Sequence, residues 1–69
     1  MERKRVNSSK IRSIGYDEKS MVLEVETTNG QVFQYSKVYP EVHRGFMNAP
    51  NPTTFFEDKI AEEYSAKKV

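Results

Sequence analysis

Met21-Val-Leu-Glu-Val-Glu-Thr-Thr-Asn-Gly-Gln-Val-Phe-Gln-Tyr35 is the stretch that decides the fold. Met21, Leu23, Val25 and Thr27 alternate with Val22, Glu24, Glu26 and Thr28, the period of a strand with one apolar face. Asn29-Gly30 then marks a hairpin turn. A two-residue loop would pair Thr28 with Gln31, setting Val25 opposite Gln34 and Glu26 opposite Phe33 and mixing apolar with polar on both faces. A three-residue loop, Thr28-Asn29-Gly30 with Gly30 left-handed, sets Val25 opposite Phe33, Leu23 opposite Tyr35 and Glu24 opposite Gln34. Because a one-residue slip turns every side chain to the other face, facial consistency selects the three-residue loop. Phe33 and Tyr35 then share a sheet face. They form either the lid of a small core or a stacking platform for nucleic-acid bases. Leu23 and Val25 lie on the same face, which favours the core.

Upstream, strand character runs from Ile11 through Ile14-Gly15-Tyr16, and Asp17-Glu-Lys-Ser20 is a turn by composition. Ile11 and Ile14 are three apart, a spacing that calls for a bulge or a late strand start if both face one way. Downstream of Val38, Pro40-Glu41 is a helix start: proline suits the first helical position and an early acid suits the dipole. Val42 and Phe46 follow at i and i+4. Asn48-Ala-Pro-Asn-Pro52 ends that helix. Thr54 with Glu57 reads as a capping box, and Phe56, Ile60 and Tyr64 form the apolar stripe of a second helix reaching about Ala66, with Lys67 and Lys68 suiting its C-terminal dipole. The predicted fold is α+β: a three-stranded antiparallel β-meander followed by two α-helices packed on one face, β-β-β-α-α. Residues 1–9 are expected as a flexible basic N-terminal arm, and residues 10–66 as one domain.

The ordered set Ser8-Ser9-Lys10-Ile11, Ile14-Gly15-Tyr16-Asp17, Leu23-x-Val25, Gly30, Phe33-Gln34-Tyr35, Val38, Pro40-Glu41-Val42 and Phe55-Phe56 resembles the KTSC domain family. Phe33-x-Tyr35 is similar to that family's aromatic-x-Tyr signature, and the resemblance spans about residues 8–64. Two departures accompany it. Tyr39 and His43 stand where the family often has proline and tyrosine, and Pro52-Thr53-Thr54 replaces a glycine common before the second aromatic pair. The family occurs as small stand-alone bacterial and phage proteins and at the C-terminus of some lysyl-tRNA synthetases. The second setting implies an RNA-binding role.

Composition narrows the chemistry. The 69 residues contain no cysteine, one histidine and three glycines, so Cys-His pairs, thiolate metal sites and glycine-rich phosphate loops are out of reach. His43 is expected on the exposed side of the first helix, far from any serine that could complete a triad. Glu24 and Glu26 read as a solvated pair on one strand face. Glu57, Asp58, Glu62 and Glu63 read as a solvated helix face, since no oxygen-ligand loop surrounds them. No enzymatic activity, metal or cofactor is expected. With the longest aliphatic run at Met21-Val22-Leu23 and no apolar stretch after the charged N-terminus, neither a membrane span nor a secretory signal is expected, and a cytoplasmic monomer fits best.

The net charge of +1 hides an asymmetry. Residues 1–12 carry five Lys/Arg against one Glu, a surplus of four, whereas residues 13–69 carry six against nine, a deficit of three. Such segregation marks a candidate nucleic-acid contact. The residues assigned to it are Arg3, Lys4, Arg5, Lys10 and Arg12, aided by Arg44, with Phe33 and Tyr35 as candidate stacking rings. They would bind mostly backbone phosphates, with steep salt dependence. The competing expectation is a protein-interaction module, an adaptor or accessory protein of bacterial or phage type. It would dock through rings left exposed, Tyr39, Phe55 and Val22 among them, or through an edge strand.

Overall fold

The computed structural model describes residues 3–6 and 8–69 of the chain. Its centre is the predicted meander: β2 (Ile11–Asp17), β3 (Val22–Thr27) and β4 (Val32–Tyr35), all antiparallel. The β3–β4 register is Leu23 to Tyr35, Glu24 to Gln34 and Val25 to Phe33, and Gly30 sits at φ +88°, so the three-residue loop is the one adopted. Thr27 closes the hairpin by donating its amide to the Gln31 carbonyl at 2.8 Å.

The sheet has five strands rather than three. β1 (Arg3–Arg5) pairs with β2, and β5 (Ala66–Lys68) pairs with β4, giving the order β1-β2-β3-β4-β5. Arg3–Arg5, expected within an unstructured arm, are therefore a strand; Met1, Glu2 and Asn7 of that arm lie outside the described residues. Neither added strand has an apolar face, and all six of their residues are exposed. What orders them is backbone pairing: the outer margins of β2 and β4 carry unpaired N–H and C=O groups that an extended segment satisfies. Side-chain periodicity holds no trace of that force.

Ile11 and Ile14 are both buried, because a bulge interrupts β2. Ile11 pairs with Thr27 and Ser13 with Glu26, so Arg12 is the surplus residue between them. The covered face of the sheet then holds Ile11, Ile14, Leu23, Val25 and Tyr35, while Ser13, Glu24, Glu26 and Gln34 lie on the other.

Two helical segments close the core. In α1 (Pro40–Met47) proline occupies the first turn, Glu41 follows, and Phe46 is fully buried. The second segment begins one turn earlier than the predicted Thr54 cap. Asn51 is the N-cap, its side-chain carbonyl accepting the Thr54 amide at 3.2 Å, and Pro52 opens α2 (Pro52–Phe55). Asn51-Pro52 is itself a cap-and-first-position pair, so it outcompetes the capping box. The chain then widens into a π-helical turn, Phe56–Ile60, with the Ala61 amide donating to the Phe56 carbonyl at 2.8 Å. It ends there, well short of Ala66. Phe46 stacks on Phe55 (centroids 5.5 Å, 10°) and on Phe56 (6.3 Å, 20°), so two consecutive rings of the second helical segment meet it.

Candidate nucleic-acid interface

The two aromatics that could have stacked bases do not offer their faces. Tyr35 is 3% exposed and meets Phe56 edge-on, centroids 5.8 Å apart at 79°. Burial raises its phenol pKa above the ordinary value. Phe33 is half-buried against the same core. The covered side of a two-layer domain needs large rings, and these supply them. Tyr39 is the ring left out, at 60% exposure, while Phe55 and Val22 are half-buried.

The cations are distributed by strand alternation. On β1, Arg3 is level with Gly15, Lys4 with Ile14 and Arg5 with Ser13, so Arg3 and Arg5 fall on the open face and Lys4 on the covered one. Arg3 is committed to the open face: its Nε lies 3.0 Å from Glu24 and its Nη1 3.5 Å from Glu26. Gln34 donates to Glu24 at 3.0 Å, and the Ser13 hydroxyl donates to Glu26 at 2.9 Å. Glu24 and Glu26, read from the sequence as a solvated pair, are thus half-buried members of a satisfied network.

Arg5 and Arg12 are brought together. They line one side of an open cleft of about 380 Å³ at the bulged end of β2, with Val6 and Ile11 as apolar walls and Ser8 and Thr28 as polar ones. No carboxylate of the described residues lines it. Arg12 Nη2 donates to the Thr28 carbonyl at 3.2 Å and its Nη1 is 3.9 Å from Glu26, a carboxylate already shared by Arg3 and Ser13. Among the described residues no carboxylate lies within 4.0 Å of Arg5. Lys10 is exposed nearby in sequence but reaches 3.3 Å from Glu57 of the helical layer. Arg44 is exposed on α1 and lines neither this cleft nor the next. Two pairs of residues were not foreseen. The hydroxyl side chains Ser8 and Thr28 carry no sequence signal of their own, and Lys67 and Lys68 line the far sheet edge instead of ending a helix.

Lys4 lines a second cleft, of about 370 Å³, with Tyr16, Glu18, His43 and Met47. Here Tyr16 and His43 stack in parallel, centroids 4.6 Å apart at 9°, and the Tyr16 hydroxyl donates to the Val38 carbonyl. His43, expected on the exposed side of α1, is half-buried. Burial lowers its pKa below the ordinary 6.5; Lys4 across the cleft pushes the same way and Glu18 opposes them. The folded state therefore binds the proton less readily than the unfolded chain. The stability this contributes is complete above the unfolded pKa and is lost as pH falls through the folded one. The expected result is a melting temperature that drops between about pH 7 and pH 5, with His43→Gln removing that part of the drop. Thermal melts of both proteins across the range check it. An unchanged slope in the variant would show that His43 is not the group responsible.

Comparison with known proteins places this architecture. A model of the KTSC domain family matches residues 7–64. An uncharacterised protein of Stutzerimonas stutzeri (strain A1501) is 41% identical over 49 residues, covering 71% of this chain and 69% of that protein. The crystal structure of a KTSC domain protein from Yersinia pestis superposes with a TM-score of 0.93 at 35% identity, covering 99% of this chain and 96% of that one.

Proposed function

The chain belongs to the KTSC domain family, and on that footing we propose that it acts by binding rather than catalysis, holding RNA or another nucleic acid weakly along the cationic margin of β1 and the start of β2. The observation that carries this reading is the cleft lined by the exposed Arg5 and Arg12, with no acid among its described lining residues. Backbone phosphates are the natural occupants of such a surface, since guanidinium forks match phosphate oxygens. Base readout has no equivalent support, because Tyr35 is buried and Phe33 half-buried. The binding is electrostatic and indifferent to sequence. If Arg5, Arg12 and Lys10 each neutralise one phosphate of a single strand, affinity falls with salt at a logarithmic slope of about two.

An amide-shift titration of the labelled protein with short single- and double-stranded RNA at two salt concentrations tests it. Salt-sensitive shifts at Arg5, Val6, Arg12 and Thr28 are the expected result. Silence at low salt and high RNA concentration would overturn the reading. A second reading, docking of a protein partner, draws on the exposed ring of Tyr39 and on an apolar cleft of about 300 Å³ bordered by Ala49, Pro50 and Phe55. It predicts shifts confined to the helical layer and insensitive to salt. Among the described residues, no helix is long and apolar enough to cross a membrane.

A further inference from the structure

The bulge in β2 is not needed to build the core. Were Arg12 absent, Ile11 and Ile14 would be two positions apart, and plain alternation would put both on the covered face. The extra residue instead carries a guanidinium out of the strand, a use to which bulges are commonly put beside functional sites. It brings Arg12 beside Arg5 of the neighbouring strand, over a cleft that no carboxylate of the described residues lines. The local charge count agrees. Two guanidinium groups, Arg3 and Arg12, share the carboxylates Glu24 and Glu26, with Arg3 holding the shorter contacts to both and Arg12 left at 3.9 Å, and Arg5 reaches neither. The surplus of positive charge falls at the cleft.

We propose that the Arg5–Arg12 cleft is a seat for a single phosphate monoester, such as the terminal phosphate of a nucleic-acid strand. This deepens, and rests on, the nucleic-acid reading above. A monoester carries a charge of about −1.5 to −2 at neutral pH, against −1 for an internal diester, so it matches two incompletely neutralised guanidiniums better. Its three terminal oxygens accept several bonds at once, where a diester offers two. Ser8 and Thr28 border the cleft with their hydroxyls already bonded, Ser8 Oγ to Thr53 Oγ1 and Thr28 Oγ1 donating to the Ser9 carbonyl at 3.4 Å, and the Thr28 carbonyl, by accepting from Arg12 at 3.2 Å, fixes the guanidinium plane without quenching its charge. The volume of about 380 Å³ is at the small end of ligand clefts, adequate for a phosphate and its attached sugar.

The test compares three probes on the full chain by amide-shift titration: a short RNA with a 5′-phosphate, the same RNA with a 5′-hydroxyl, and inorganic phosphate. The expected result is a preference on the order of ten-fold for the phosphorylated strand, the worth of one extra charge-assisted contact. The preference should disappear in Arg12→Gln and, separately, in Arg5→Gln. Both side chains are exposed, so the unchanged spectrum elsewhere certifies the fold. Saturable shifts at the cleft with inorganic phosphate, and none beyond it with either RNA, would assign the site to a small phosphate compound; the seat would stand and the nucleic-acid reading would fall. Equal binding of both RNAs would overturn the monoester seat and leave the nucleic-acid reading intact. No shifts with any probe would overturn both.

Discussion

Phe46→Ala is expected to remove most of the stability of this domain. Phe46 is fully buried and stacks with both Phe55 and Phe56, so it joins α1 to the second helical segment. Truncating a buried phenylalanine costs about 3–5 kcal/mol, the sum of lost transfer energy and the cavity left behind. A chain of 69 residues has roughly 3–10 kcal/mol to lose. No disulfide stands in reserve. A urea melt followed by far-ultraviolet circular dichroism should show the midpoint collapsing toward zero denaturant. Phe46→Leu, which keeps most of the volume, should cost far less. Equal losses from the two variants would mean that ring stacking, not filled space, is what α1 contributes.

Leu23→Ala is the second large effect, and its informative partner is Val22→Ala. Leu23 is fully buried near the start of β3, level with Tyr16 on β2 and Tyr35 on β4; Val22, one residue away, is half-buried on the opposite face. The first substitution should cost about 2–5 kcal/mol and the second about 1 kcal/mol or less. The comparison reads sheet register directly through paired denaturant melts. If the two costs were similar, the sheet would have to be covered on both faces.

The same alternation explains how much of the architecture is legible in the residues. Met21 to Tyr35 could be read to the residue pair, because an apolar face, a glycine and a polar face had to agree at once. Two isoleucines three apart called for a bulge or a late strand start, and the fold chose the bulge, placing it at Arg12. β1 and β5 could not be read. Their side chains are exposed and charged, and what orders them is the backbone of a neighbour, which leaves no periodic mark. The second helix was misplaced by one turn because two capping signals compete within four residues, and its end was overrun because Tyr64 extends the apolar stripe past the π-helical turn. Of the candidate interface, the clustering of charge was visible in sequence. That Arg3 is absorbed by Glu24 and Glu26, while Arg5 and Arg12 are left to face one cleft, depends on strand registry and could only come from the fold.

Both margins of the sheet are cationic: Arg3-Lys4-Arg5 on one side, Lys67-Lys68 on the other. Two copies approaching edge to edge therefore meet like charge against like charge, which keeps the open hydrogen-bonding rims of β1 and β5 from templating a larger sheet. The same rim charges would serve both colloidal stability and the proposed binding of anions. If the proposed binding holds, a long polyanion occupying both rims would screen the repulsion between copies, so saturation by such a ligand and condensation into assemblies would be coupled, and both would retreat together as salt is added.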